Sequence, residues 1–280
     1  MEKDENMNES YEDRRKRLTA VYLDTMSMIE KDVVLSNAVK ESASRTKFYP
    51  VGALPRPQGT SSKNTIVTVT GNRSFQAAIQ LKKRNPEKRI AVLNFASATS
   101  PGGGVTTGSS AQEESLCRCS TLYPLLNRKL LWDKYYEPNE KMDNALHTDA
   151  CIYTPGVKII KSDTNQPERL PQSEWIDVDV ITCAAPSFRF IDPIEPKALL
   201  ELHLERGRKI LNVALDNKAE SLVLGAFGCG AFRNDPDVVA SAYAQLMQEY
   251  QGAFDEVEFA IFYWGNEVKN YEAFKKALKA

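Results

Sequence analysis

From residue 65 onward, short apolar runs alternate with amphipathic stretches. The run 65–70 (TIVTVT) is β-branched and reads as a strand, as do Ile90–Phe95, 176–185, Ser221–Leu224 and 257–264. Between them, Ser74–Arg84, 111–126, 196–218, 236–250 and 267–278 place apolar residues at helical spacing. The segments 147–154 and 157–161 read as a hairpin around Pro155-Gly156, and 128–146 as a short helix and surface loop. Strands alternating with helices predict an α/β domain with a mostly parallel sheet and helices on both faces. Ahead of it, Leu18, Val21, Tyr22, Thr25, Met28 and Ile29 fall near i, i+3, i+4, i+7 spacing, and Val33, Val34, Val39 and Ala43 continue the pattern. Two helical segments over 11–43 are therefore expected as an extension packed on the main body. A proline-rich connector follows at 47–59, with room for a short edge strand. Residues 1–10 are polar and expected to be disordered. The expected division is a tail at 1–10, an N-terminal helical extension and connector at 11–60, and one α/β domain at 61–280.

Composition narrows the function classes. The 36 basic and 37 acidic residues nearly cancel, so no general attraction to nucleic acid or membrane is implied. The basic run Lys82, Lys83, Arg84, Lys88 and Arg89 has no interleaved aromatics and complements the C-terminal end of its helix, so direct DNA binding is not expected. No stretch approaches ~18 unbroken apolar residues, and the N-terminus lacks an apolar signal core; a soluble, cytoplasmic chain is expected. Five cysteines, an odd number, argue against a disulfide framework.

Two strand ends carry glycine loops, where open α/β sheets bind ligands. After Phe95, Pro101 precedes Gly102, Gly103 and Gly104, whose bare backbone can cradle phosphate oxygens. Gly103 and Gly108 have the spacing of a nucleotide triphosphatase loop, but Ser109 stands where the lysine belongs. Gln112, Glu113 and Glu114 then open a helix. Acidic residues in a first turn favour the helix dipole, but beside the glycine loop they can also perform acid/base chemistry. Cleavage of a glycosidic bond needs a carboxylic acid to protonate the leaving oxygen, and partial burial would raise its pKa toward working pH. After Leu224, GAFGCGAFRNDP has Arg233 at the third glycine position of a dinucleotide fingerprint, which excludes a Rossmann dehydrogenase. Asn234 or Asp235 is a candidate N-cap with Pro236 at the first helical position, and such a helix start is an anion site. Phe227 and Phe232 are candidates to pack on a ribose or base, or equally core residues. Cys117-x-Cys119 has no second pair at zinc spacing, and His147 and His203 are the only histidines. Neither a metal site nor a cofactor is expected, and both histidines read as surface or capping residues.

Together, NFAS, PGGG, QEESL, ITCAAPS and GAFGCGAFRNDP resemble the microbial-type poly(ADP-ribose) glycohydrolases, which have a macrodomain fold; the resemblance covers about 65–264. It implies a three-layer α/β/α macrodomain with a mixed, mostly parallel sheet, its catalytic domain at 61–280. It also implies hydrolysis of ribose–ribose O-glycosidic bonds in poly(ADP-ribose), with ADP-ribose as product and no metal. On this resemblance Glu114 is the acid/base, Glu113 holds the reacting ribose and Gln112 shapes the loop. Gly102, Gly103, Gly104 and Val105 on one side, and Gly228, Cys229, Gly230, Ala231 and Phe232 on the other, would clasp the diphosphate. Asn94, Ala96 and Ser97 would line the ribose side, and Phe262 or Tyr263 would lie near adenine. Where many macrodomains place an acidic residue to read adenine, this chain has Gly71-Asn72-Arg73. Two other readings fit the same fold: a module that binds ADP-ribose without cleaving it, and a hydrolase acting on mono-ADP-ribosylated protein. A pure reader has no need for both Glu113 and Glu114 beside the loop.

Overall fold

The computed structural model describes residues 9–57, 64–142 and 144–279. Residues 1–8 of the predicted tail and 58–63 of the predicted connector and domain start lie outside that description. The chain opens with helices α1 (Tyr11–Lys31) and α2 (Val33–Arg45) and a short strand β1 (Lys47–Tyr49). Ser10 and Asp32 cap the two helices by accepting bonds from first-turn N–H groups. Then come β2 (Ile66–Thr70), α3 (Ser74–Arg84), β3 (Ile90–Phe95), α4 (Gln112–Cys119) and α5 (Leu122–Leu126). Helices α6 (Lys129–Leu131) and α7 (Glu137–Met142) are joined by a π-helical turn, Trp132–Tyr136. The remainder is β4 (Cys151–Ile159), β5 (Ile176–Cys183), α8 (Pro196–Asp216), β6 (Ser221–Leu224), α9 (Pro236–Glu249), β7 (Glu256–Ala260) and α10 (Lys269–Leu278).

Among the described residues the strands form one seven-stranded sheet in the order β1-β4-β5-β3-β6-β7-β2. From β5 to β2 all neighbours are parallel; β4 runs antiparallel to β1 and β5. The sheet is thus mixed and mostly parallel. Strand periodicity builds the layers. On β3, Ala91 and Leu93 join the core formed with α8, α9 and α10, while Ile90 and Val92 join the opposite core with α3, α4 and α5. Both faces of β3 are buried, which is why its sequence is a continuous apolar run.

Three predicted elements differ. The strand predicted at 257–264 ends at Ala260, so Phe262 and Tyr263 stand in the segment beyond it. The hairpin at 147–161 is instead the single strand β4, with a bulge between Thr154 and Val157. Pro155 has no N–H for the ladder, Gly156 donates to Asp179 Oδ1 at 3.0 Å, and Ser42 of α2 donates to the Pro155 carbonyl. The dipeptide that signals a turn therefore bends the strand without reversing it. The helix predicted at 111–126 breaks at Ser120, which bridges to Ile159. Thr121 N–H donates to Lys158 O at 3.0 Å, and Lys158 N–H returns a 2.9 Å bond to Thr121 Oγ1. Pairing with β4 thus outcompetes helix continuation.

Helix α1 buries Leu18, Tyr22, Thr25 and Ile29. It lies against the loop that follows β3: Arg15 Nε donates to Thr107 O at 2.8 Å. At Gly108 (φ +79°), an added Cβ would sit 2.1 Å from the Arg15 carbonyl oxygen, so only glycine admits the helix there.

Candidate active site

A cavity of about 720 Å³ opens at the carboxyl ends of the parallel strands. Its floor is made by the loop after β3 and the start of α4. Gln112, the first residue of α4, is tied into β3: its Nε2 donates to Leu93 O at 2.7 Å, and its Oε1 accepts from Phe95 N–H at 2.9 Å. This fixes where the next two carboxylates stand. Glu113 is buried; its Oε1 accepts from Asn94 Nδ2 at 3.1 Å and its Oε2 from Ser97 N–H at 2.7 Å. Burial pushes its carboxyl up to about 8 against the lowering effect of those bonds, with the Glu114 charge adding to the rise. Glu114 Oε1 accepts from Gly104 N–H at 2.9 Å. Its Oε2 is buried without a hydrogen-bond partner among the described residues, and the side chain lines the cavity. Gly103 (φ +56°) passes so close that an added Cβ would lie 2.5 Å from Glu114 Oε1 and 3.3 Å from Glu113 Oε2.

The second glycine loop, between β6 and α9, faces the first. Gly103 and Gly104 line the same cavity as Gly228, Gly230, Ala231 and Phe232, with Ser97, Gln112, Glu113, Glu114 and Phe262. Six other predicted site residues lie outside its lining. Asn94 is fully buried and acts through Glu113. Ala96, Gly102 and Val105 are buried beneath the loop, and Cys229 is half-buried behind it. Phe227 corrects its expected packing on a ligand: it is fully buried against Phe95 and His203 as a core ring. His203 itself is 1% exposed, not a surface residue, and Nε2 lies 2.9 Å from Asn234 Oδ1. His147 is half-buried against Phe232, and burial holds both imidazoles down to about 4. Of the two N-cap candidates, Asp235 caps α9 by accepting from Asp237 N–H at 2.9 Å.

Sequence reasoning assigned no role to three charged lining residues. Arg73, at the start of α3, lies with its guanidinium carbon 3.8 Å from the Phe262 ring centroid. Asp163, buried, accepts from Phe75 N–H at 3.0 Å and from Ser115 Oγ at 2.7 Å, joining α3 to α4. Arg189 stands at the far side, after β5. Position just beyond a strand end was the available signal for Arg73; Asp163 lies in a polar loop with none. No group of three or more His, Cys, Asp or Glu placed to hold a metal ion occurs among the described residues.

Comparison with known proteins shows what the whole chain resembles. The family described as microbial-type PARG, catalytic domain, matches residues 8–162. A poly(ADP-ribose) glycohydrolase from Thermomonospora curvata is 28% identical, with a TM-score of 0.82 over 94% of this chain and 100% of that one. Its complex with the inhibitor ADP-HPD is similar at 29% identity and a TM-score of 0.81, over 94% and 99%. The enzyme from Deinococcus radiodurans in complex with ADP-ribose is 35% identical, with a TM-score of 0.74 over 86% of this chain and 96% of that one. Among curated proteins no sequence matches.

Proposed function

The chain belongs to the microbial-type poly(ADP-ribose) glycohydrolase (PARG) family, and on that premise we propose how its own residues carry out the reaction. It is a glycosidase that hydrolyses ribose–ribose bonds of poly(ADP-ribose) and releases ADP-ribose, reversing ADP-ribosylation. Glu114 is the general acid. The observation that carries this is its divided environment: Oε1 is fixed by Gly104 N–H, while the buried Oε2 has no partner among the described residues. A proton on Oε2 passes to the bridging oxygen as the bond to the anomeric carbon breaks, and the leaving ribose departs as an alcohol. A water then attacks the oxocarbenium-like carbon and gives its proton to the Glu114 carboxylate, which restores the acid.

Glu113 orients the reacting ribose. Held by Asn94 and Ser97 and largely protonated below about pH 8, it both donates to and accepts from ribose hydroxyls. The facing loops, with Gly103 and Gly104 opposite Gly228, Gly230, Ala231 and Phe232, bracket the diphosphate with backbone N–H groups. Phe262 with Arg73 takes the adenine. No residue in this scheme requires a metal. No helix among the described residues is long and apolar enough to cross a membrane. The odd count of five cysteines fits a reducing compartment, and we assign the enzyme to the cytoplasm.

Incubation with poly(ADP-ribose) and, separately, with mono-ADP-ribosylated protein tests the reading. Free ADP-ribose from the polymer is expected. Binding of polymer without product would make the chain a reader, and release from the mono-modified protein alone would make it a mono-ADP-ribosyl hydrolase.

A further inference from the structure

The segment after β5 leaves the fold in an unusual way. Ser187 N–H donates to Ala145 O at 2.7 Å and Phe188 N–H to Phe232 O at 2.8 Å, so the chain is pinned on both sides up to Phe188, itself buried. The next residues turn outward. Arg189 lines the cavity, Phe190 is 89% exposed and Ile191 is 43% exposed. The Arg189 guanidinium carbon lies 5.3 Å from the Phe190 ring centroid. Phe190 thus offers an open π-face beside a cation on a hydrogen-bonded base, an arrangement that can receive a flat, anionic group.

Strand order says what covers it. Ligands of open α/β sheets lie along the carboxyl ends of the strands. Across this sheet, β2 and β7 carry Arg73 and Phe262 at one side, β6 and β3 carry the glycine loops and the two glutamates in the middle, and β5 carries Arg189 and Phe190 at the other. If the proposed reading holds, the adenine end of the bound ADP-ribose lies over β7 and β2, and its reacting ribose lies by Glu114. The leaving group then projects toward β5. In poly(ADP-ribose) that leaving group is the adenosine ribose of the neighbouring unit, which brings a base and a diphosphate. We propose that Arg189 and Phe190 form a second nucleotide subsite, in which Phe190 stacks on the adenine of the neighbouring ADP-ribose unit and Arg189 faces its phosphates. The pairing of a π-face with a cation is the chemistry by which proteins hold unpaired bases and their backbone. This rests on the proposed reading of the site only as far as it seats the polymer in the cavity with its reacting ribose at Glu114.

Phe190 does not line the cavity itself, so F190A separates the two subsites. The expected result is a rise of about tenfold in KM for poly(ADP-ribose), set by the loss of one base stack. Affinity for free ADP-ribose should change less than twofold, and F190W should restore the polymer KM. R189A should lower the salt dependence of polymer binding, as removal of a phosphate contact requires. An unchanged polymer KM in F190A overturns the subsite, as does an equal loss of ADP-ribose affinity. A loss seen only with ADP-ribosylated protein, not with free polymer, also overturns it, because the occupant is then the acceptor protein. Polymer binding measured with F190A in the E114Q background reads the subsite without turnover. A chain that binds polymer through Phe190 yet cleaves nothing would therefore sink the proposed function and leave this inference standing.

Discussion

The backbone N–H of Gly104 donates a 2.9 Å hydrogen bond to Oε1 of Glu114. One bond thus ties the glycine loop to the reacting carboxylate: the strand of backbone proposed to bracket the diphosphate also sets the direction of the acid. Gly103, next to it, leaves no room for a side chain between loop and carboxylate. Substrate binding and acid placement are therefore two consequences of the same short stretch.

Glu114→Gln keeps an oxygen for Gly104 N–H and loses the proton. Release of ADP-ribose should fall by about 10²–10⁴-fold, the usual contribution of a general acid. Affinity for ADP-ribose, followed by calorimetry, should stay within a few-fold, and the unfolding midpoint should not move. Full turnover by this variant would remove Glu114 from the role.

Glu113 predicts a pH dependence of stability. Its carboxyl stands near 8 in the folded protein against an ordinary value of 4.5. Below 4.5 both folded and unfolded chains hold the proton; between 4.5 and about 8 the folded chain holds more. Stability from this group therefore falls as pH rises through that window. Other groups, including His147 and His203, titrate in part of it, so the informative quantity is a difference. Urea unfolding of wild type and Glu113→Gln at pH 5, 6.5 and 8 should show the variant gaining on the wild type as pH rises, because the amide stays neutral. A pH-independent difference would mean that Glu113 is ionised throughout.

The central layer was legible because parallel strands buried on both faces are continuous apolar runs: β3 and β6 stand out for that reason. Glu113 and Glu114 were legible because their neighbours in sequence are their neighbours in space. The errors share a different cause. Pro155-Gly156 and Ser120 look like turn and helix interior when read locally, and both are decided by β-pairing with residues far away in the chain. Phe227 and Phe232 are chemically alike and five residues apart, yet one is core and the other lines the cavity. Asp163 binds α3 and α4 through partners 88 and 48 residues away, which no local pattern encodes.

At the other end of the cavity, Arg73 over Phe262 makes a flat, cationic platform. Phe262→Ala should weaken ADP-ribose binding by roughly 5- to 150-fold, the range of one base–aromatic stack. Its kcat on saturating polymer should change little, since the ring is remote from Glu114 in the strand order. Phe262→Tyr should retain affinity because it keeps the π-face. Equal loss in the Tyr and Ala variants would exclude stacking as the role of this residue.

Asn234 provides the last test, because two roles for it make opposite predictions. Its sequence position marks it as an N-cap candidate for α9, but Asp235 makes the capping bonds. Asn234 is 2% exposed and joins three segments. Nδ2 donates to Pro186 O at 2.7 Å and to Gly228 O at 3.0 Å, and Oδ1 meets His203 Nε2 at 2.9 Å. It therefore fixes the second glycine loop to the end of β5 and to α8. Asn234→Ala leaves two carbonyls and an imidazole buried with fewer partners, which costs about 2–4 kcal/mol. The released Gly228 loop should also weaken ADP-ribose binding about tenfold, since a hydrogen bond of ~1.4 kcal/mol sets that scale. Asp is as good an N-cap as Asn, so a capping role predicts that Asn234→Asp is harmless. As a clamp, the same variant puts a carboxylate against two carbonyl oxygens and loses both donated bonds. Its urea midpoint and ADP-ribose affinity should fall at least as far as those of the alanine variant. Wild-type stability in Asn234→Asp would return the residue to the helix end and leave the loop held by backbone bonds, from Asn234 N–H to Gly228 O and from Phe188 N–H to Phe232 O.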